Sequence, residues 1–234
     1  MKVGLLDELA FAGAEHLDPR YVEGYDQKAR VDPDPDLALL RARGLGTDST
    51  VVDLGAATGT FALAAAAEAA RVVAVDPSPP MVAAAQAKAR ADGVTNLECV
   101  RAGFLSYEHT GAPADFVYSR NALHHLPDFW KVIALERVAA LLQPGGLFRL
   151  RDIVFACAPG EVEAVIEAWL DTGAASSELG WTRAELEAHV RNEHSTFNWL
   201  IEPMIERAGF EIEEADYGSL RIHAAYLCVR RERP

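Results

Sequence analysis

The sequence lacks features that would place it in a membrane or outside the cell. It has no apolar run long enough to cross a bilayer, and its start, MKVGLLDELAFAG, has Asp7 and Glu8 inside the apolar stretch, unlike a signal peptide. Its three cysteines, Cys99, Cys157 and Cys228, are far apart and include no CxxC pair. We therefore expect buried thiols in a cytoplasmic protein with no membrane partner.

Positive charge is also scarce. The chain has 22 Lys and Arg against 35 Asp and Glu, a formal net charge of -13. The electric field of such a negative charge repels phosphate backbones, so nucleic acid is not an expected partner. With 50% hydrophobic and 24% charged residues over 234 positions, the composition predicts one globular domain of ordinary size.

From about residue 50, short β-branched runs alternate with stretches of helix-forming composition. This alternation of predicted strands and helices is typical of βαβ units and a parallel sheet. The predicted strands are TVVDL (50–54), RVVAVD (71–76), NLECVR (96–101), ADFVYS (114–119) and GLFRLRDI (146–153). Two further strands near the C-terminus are separated by turn residues, so they can pair as an antiparallel hairpin.

The rest of the chain divides around this core. Residues 1–45 combine a helix-like start with the Pro/Asp-rich stretch VDPDPD, and residues 46–154 are the alternating core. Residues 155–202 look helical, with TRAE (182–185) able to form a capping box, and residues 203–234 give a last helix and the strand pair.

A glycine-containing loop follows the first predicted strand, in VVDLGAATGT (51–60). A dinucleotide-binding fingerprint would need glycine where Ala57 and Thr60 stand, and a phosphate-binding P-loop would need a Lys that is missing. What remains is Asp53-x-Gly-x-x-x-Gly59, with Asp76 ending the next strand. A carboxylate at the position of Asp76 can accept hydrogen bonds from two ribose hydroxyls. A carboxylate beside the loop, at the position of Asp53, suits an ammonium group. The pattern indicates a nucleoside with an amino acid tail.

Four segments in this order and spacing resemble one known family. They are VVDLGAATGT, VVAVDPSPPMVAAAQAKA, ADFVYSRNALHHLPD and LLQPGGLFRLRDI. The chain resembles the class I S-adenosylmethionine-dependent methyltransferases that act on small molecules. The resemblance implies an α/β, Rossmann-like sheet of seven strands with the last strand antiparallel, an N-terminal lid over residues 1–45 and a helical insertion shaping the substrate pocket. It also implies S-adenosylmethionine (SAM) as cofactor and S-adenosylhomocysteine (SAH) as product.

The resemblance also assigns roles to residues. The loop would face the methionine part of the cofactor, Asp76 the ribose, and Arg120 and Asn121 the cofactor carboxylate or the site wall. The full set of implied cofactor-binding residues is Asp53, Gly55, Ala56, Ala57, Gly59, Asp76, Pro77, Met81, Gly103, Phe104, Arg120, Asn121 and Tyr25. Tyr25 belongs to YVEGYDQKAR, which fits either a surface helix or the lid.

The sequence departs from the family pattern at two positions. Ala57 stands where glycine is common, which a negative backbone φ would allow. Gly103 stands where the family often has an Asp that accepts from the adenine amino group, so we expect the backbone at Gly103 and Phe104, and packing on Phe104, to hold the adenine.

Two adjacent histidines, His124 and His125, follow the fourth predicted strand. Either could serve as an acid-base residue, although packing near the cofactor is the more common role of such a histidine in the family. We predict no metal site, because adjacent side chains diverge and no carboxylate or cysteine lies at a supporting spacing.

Other functions share parts of this pattern. A nicotinamide-dependent oxidoreductase would have the same sheet but more glycines in the loop. A SAM-binding protein with non-methylating chemistry, or with a regulatory or interaction role, would keep the loop without methyl transfer. The sequence also leaves open a homodimer, the acceptor and its nucleophilic atom.

Overall fold

The computed structural model describes residues 6–175 and 181–232. Residues 1–5 of the predicted lid, 176–180 of the predicted insertion and 233–234 at the end lie outside the described residues.

A twisted sheet forms the centre of the molecule. The strands are β1 Thr50–Leu54, β2 Arg71–Asp76, β3 Leu97–Arg101, β4 Ala114–Arg120, β5 Leu142–Phe155, β6 Thr196–Phe197, β7 Phe210–Asp216 and β8 His223–Arg230. Seven of them follow the order β3-β2-β1-β4-β5-β8-β7, and β8 runs antiparallel to both neighbours while the others are parallel. The two-residue strand β6 pairs with β5 outside this order. The predicted seven-stranded sheet with an antiparallel last strand is therefore confirmed.

Helices cover both faces of the sheet. They are α1 Pro19–Glu23, α2 Tyr25–Ala29, α3 Asp34–Ala42, α4 Thr60–Ala66, α5 Pro79–Ala91, α6 Asp128–Leu141, α7 Val162–Ala175, α8 Arg183–Asn192 and α9 Asn198–Arg207. Successive residues of β1 alternate between the two faces of the sheet: Val51 packs with the apolar residues of α3 and α4, and Val52 packs with those of α6 and α9. Because both faces are buried, the central strands are continuous apolar runs.

The N-terminal segment (residues 6–45) folds into short turns and helices. Two 3-10 turns, Glu8–Phe11 and Ala14–Leu17, precede α1, which starts at Pro19 with Asp18 accepting from the Arg20 backbone N–H. A Pro at the first helical position with an Asp cap is a favourable helix start.

The predicted helical insertion contains α7 and α8. The predicted capping box is confirmed: Thr182 and Glu185 each bond to the other's backbone N–H at the start of α8. Two details differ from the prediction. The short strand β6 pairs with β5, and α9 starts at Asn198, before residue 203. Burial of Ile201 and Ile205, one turn apart, extends this helix back past Pro203.

Two further observations concern the chain as a whole. Within the described ranges, no helix combines the length and apolar character needed to cross a membrane. The three cysteines are free thiols; Cys157 and Cys228 are buried as predicted, whereas Cys99 is only half-buried.

Candidate functional site

A pocket lies at the carboxyl edge of the parallel strands, where β1, β2, β3 and β4 end. Ligands bind at this edge in doubly wound sheets. Most of the predicted site residues meet there: the pocket lining includes Tyr25, Gly55, Ala57, Asp76, Pro77, Met81, Gly103, Phe104, Arg120, Asn121 and His125.

Close approach of two loops requires glycine at position 55. Gly55 has φ +74°, and a Cβ built on it would lie 2.2 Å from Cβ of Ala122, in the loop after β4. The backbone N–H groups of Gly55 and Ala56 both donate to the Val75 carbonyl at the end of β2, at 2.8 and 3.0 Å. These contacts fix the glycine loop against the neighbouring strand ends.

Ala57 corrects one expectation. Its φ is +48°, in the left-handed region, rather than negative. This conformation costs a non-glycine residue about 1 to 2 kcal/mol. It directs the Ala57 N–H at Asp76 Oδ2, which accepts at 2.9 Å. The strained backbone therefore helps to hold the Asp76 carboxylate.

Asp76 is an almost fully buried carboxylate that lines the pocket. Its two oxygens accept from the backbone N–H groups of Ala57 and Ser78, at 2.9 and 2.8 Å. Burial raises the pKa of Asp76, while these two N–H groups and nearby His16 act to lower it. Each oxygen has a second lone pair, so the carboxylate can accept further hydrogen bonds from a ligand.

Three predicted residues of the first loop lie outside the pocket lining. Asp53 is 2% exposed, and burial, followed by repulsion from Asp76, raises the pKa of its carboxyl to about 8. Asp53 therefore lies behind the pocket wall, and its contact with an ammonium group stays a prediction. Ala56 packs with the α4 side of the core, and Gly59 precedes the first turn of α4 with φ +80°.

Glu8, which the sequence analysis did not single out, lies beside Gly103. A Cβ built on Gly103 would lie 2.3 Å from Glu8 Oε1. The Glu8 carboxylate accepts from the backbone N–H of Leu105 at 2.9 Å and from the Ser106 hydroxyl at 2.7 Å, and it lines the pocket. A carboxylate therefore stands at this position although residue 103 has no side chain.

Other parts of the N-terminal segment also close over the pocket. Ala12, His16 and Tyr25 line it, and the Ser78 hydroxyl donates to the His16 carbonyl at 2.7 Å. Asp26 accepts from Thr58 in the glycine loop. These contacts join the segment to the strand ends on two sides.

The N-terminal segment also contacts the helices after β5. Lys28 pairs with Glu185 of α8, and its Nζ lies 4.5 Å from the centre of the Trp181 ring. Phe11 packs near His194, with ring centroids 5.8 Å apart. The N-terminal segment thus lies between the pocket and the helical insertion, and no described residue of the insertion is among those that line the pocket.

The two adjacent histidines have different surroundings. His125 lines the pocket, whereas His124 is buried behind it, with Nδ1 bonded to Asp152 and the backbone N–H donating to the same carboxylate at 2.9 Å. Their rings do not diverge: the centroids are 4.4 Å apart, and Glu193 lies beside both.

Charge distribution around these histidines follows from their burial and partners. Burial alone would lower the pKa of His124, but Asp152 and Glu193 outweigh it and raise that pKa to about 9. Burial, together with neighbouring His124, lowers the pKa of His125 to about 3. His124 is therefore the cation of the group, and His125 is neutral.

Sequence reasoning missed the pocket residues contributed by the N-terminal segment and by the end of the turn after β4. They are Glu8, Ala12, His16, Ala122 and Leu126. The one available signal was glycine at position 103, because the absence of a side chain there leaves room for a side chain from another part of the chain, here Glu8.

Comparisons with known proteins match this architecture. A family model described as a methyltransferase domain matches residues 51–146. The 27-O-demethylrifamycin SV methyltransferase of Amycolatopsis mediterranei (strain S699) is 33% identical over 69 residues, which span 30% of this chain and only 25% of that protein.

Solved structures share the fold over most of the chain. Magnesium protoporphyrin IX methyltransferase (ChlM) from Synechocystis PCC 6803, with bound SAM, superposes with a TM-score of 0.66 at 16% identity, covering 97% of this chain and 99% of that one. The [4+2]-cyclase SpnF gives 0.63 at 15% identity, covering 85% and 81%. Residues 51–146 thus match a methyltransferase domain, within a chain that has the fold of a solved SAM-bound methyltransferase.

Proposed function

We propose that this protein transfers the methyl group of SAM to a small-molecule acceptor. The observation that supports the proposal most directly is the buried Asp76 carboxylate, which lines a pocket at the carboxyl edge of a methyltransferase domain. The glycine loop and the Arg120 side of the same pocket provide the other contacts that a nucleoside with an amino acid tail needs.

The pocket residues fit the parts of SAM. Asp76 would accept from the ribose hydroxyls, and the backbone at Gly55 and Ala57, with Arg120 and Asn121, would hold the methionine part. A second set, from the β3 end and its surroundings, would hold the adenine: Pro77, Met81, Gly103, Phe104 and Glu8. Met81 and Phe104 are apolar and buried, which suits the face of a base.

The chain's own contribution to the reaction would be positioning and exclusion of water. SAM, when bound, supplies an already activated methyl group, so the transfer needs alignment more than acid-base chemistry. We propose that the N-terminal segment acts as a lid, since it contacts both the strand ends and α8. Enclosure between these elements would keep the reacting atoms dry.

His125 remains the better placed of the two predicted acid-base residues. It lines the pocket, whereas the His124 ring is bonded to Asp152 behind it. An acceptor that must lose a proton could use His125, while an acceptor with a free lone pair would need no base.

Two considerations favour a small molecule as acceptor. The formal charge of -13 opposes binding to nucleic acid. The partly matching relative is named for a rifamycin derivative and a structural neighbour for a magnesium porphyrin, both of them small molecules. A homodimer remains a prediction.

A second candidate function comes from the cyclase neighbour. SpnF has the same fold and is named for a ring-forming reaction rather than for methyl transfer. A SAM-binding protein with other chemistry therefore remains the alternative proposal.

Turnover with methyl-labelled SAM tests the proposal. The purified protein is incubated with labelled SAM and a panel of phenols, amines, thiols and carbon acids, and both SAH and the label in the acceptor are measured. We expect SAH and labelled acceptor to form in equal amounts. Acceptor conversion without SAH would favour the alternative, and the absence of any SAM binding would overturn both.

A further inference from the structure

Several histidines converge on one carboxylate at the wall of the pocket. His124 and His125 follow β4, and His189 lies on α8, with its ring centroid 5.0 Å from that of His124. His16 of the N-terminal segment lies 5.8 Å from His125, measured between ring centroids. Glu193, just after α8, completes the group.

Three of these side chains present ligand atoms to one point. His124, His125 and Glu193 each offer one ligand atom, and the three atoms lie within 4.8 Å of one another. Glu193 Oε2 is 2.8 Å from His124 Nε2 and 3.8 Å from His125 Nδ1. Two imidazoles and one carboxylate on one side of a point are the donor set of many divalent transition-metal sites.

One of the three ligand atoms, His125 Nδ1, is buried without a hydrogen-bond partner. Buried polar atoms are rarely left unpaired, and each one needs a physical reason. Glu193 Oε2 is shared between two imidazoles, 2.8 Å from His124 Nε2 and 2.6 Å from His189 Nδ1. A cation between His125 and Glu193 would give the unpaired nitrogen a partner.

Asp152 supports the third ligand atom from behind. It bonds to His124 Nδ1, so that Nε2 points toward Glu193. A carboxylate behind a histidine is the usual second partner of a metal-binding imidazole, since it fixes the ring and raises its basicity.

From this geometry we infer that His124, His125 and Glu193 bind a divalent first-row transition metal ion, with Asp152 positioning His124. Of the three residues, His125 is the one that also lines the pocket, so the ion would lie beside the cavity. The inference does not depend on the proposed methyl transfer.

Metal titration of the full chain tests the inference without an activity measurement. The protein is treated with a chelator, dialysed, and titrated with Co²⁺ alone and Zn²⁺ alone. We expect one Co²⁺ per chain, with the visible absorption of a four- or five-coordinate ion, displacement by Zn²⁺, and a Zn²⁺-dependent rise in melting temperature.

Variants separate a metal site from a hydrogen-bonded network. Glu193→Gln preserves shape and should weaken Zn²⁺ binding on the order of 100-fold, and Asp152→Asn should weaken it about 10- to 100-fold. His109→Ala is the matched control, because His109 bonds to Tyr107 and the Ala112 carbonyl instead. No saturable binding, or equal loss in the control, would overturn the inference and leave a proton-bridged network.

Discussion

The Glu8 carboxylate occupies the space that a side chain at position 103 would need, with Oε1 2.3 Å from a Cβ built on Gly103. Family resemblance implies an Asp at position 103 for the adenine amino group. The structure brings a carboxylate to this place from the N-terminal segment, so we propose that Glu8 compensates for the departure at Gly103, just after β3.

Replacing Glu8 should weaken cofactor binding. We expect Glu8→Ala to raise the Kd for both SAM and SAH about 5- to 30-fold, the equivalent of losing about 1 to 2 kcal/mol from one charge-assisted hydrogen bond. Calorimetry measures the Kd, and Glu23→Gln, an exposed residue of the same segment, is the control. Adding Gly103→Asp to Glu8→Ala should restore part of the affinity; equal affinities in all four proteins would refute the role of Glu8.

Asp76→Ala should weaken SAM binding more strongly. Loss of the hydrogen bonds expected to the two ribose hydroxyls should cost about 1 to 3 kcal/mol, or about 5- to 150-fold in Kd. Asp92→Ala, at an exposed helix end, is the control. Thermal unfolding of each variant separates lost affinity from lost folding, because Ala57 and Ser78 lose their acceptor as well. An unchanged Kd in a folded Asp76→Ala protein would exclude the ribose contact.

Asp53→Asn should remove part of the pH dependence of stability. The pKa of Asp53 is raised to about 8, so between about pH 4 and pH 8 the native state keeps a proton that the unfolded state loses. The free energy of unfolding therefore falls as the pH rises through this range. Asn has no such proton, so the variant should become more stable relative to the natural protein as the pH increases. Urea unfolding at several pH values measures the difference, and parallel curves would contradict it.

Ala57→Gly should stabilise the protein. Relief of the left-handed backbone is worth about 1 to 2 kcal/mol, and the greater entropy of glycine in the unfolded chain offsets about 0.4 to 1 kcal/mol of it. We expect a net gain of about 0.5 to 1 kcal/mol in urea unfolding. Ala56→Gly, next to it without a positive φ, should instead destabilise. A loss of stability in Ala57→Gly would mean that its methyl group packs more favourably than its backbone is strained.

Local patterns in the sequence predicted most of the sheet, the glycine loop and Asp76, because these features are defined by residues close together in the chain. The other pocket residues were predicted from the family resemblance. The φ of Ala57 was predicted wrongly, because the hydrogen bond that favours a positive value comes from Asp76, on another strand.

The contacts that could not be predicted join residues far apart in the sequence. Glu8 reaches Gly103 and Glu193 reaches His124 only because the N-terminal segment and the end of α8 fold back over the strand ends. No spacing rule connects such positions. For the same reason the argument that adjacent histidines diverge failed, since Asp152 and Glu193 orient them.

Calorimetric titration of the purified protein with SAM, SAH and NAD in separate experiments tests the central claim most directly. The account predicts saturable binding of SAM and SAH and none of NAD, because the pocket has Asp76 and a carboxylate from Glu8 but lacks the glycines of a dinucleotide loop. Binding of NAD with no binding of SAM or SAH would contradict it.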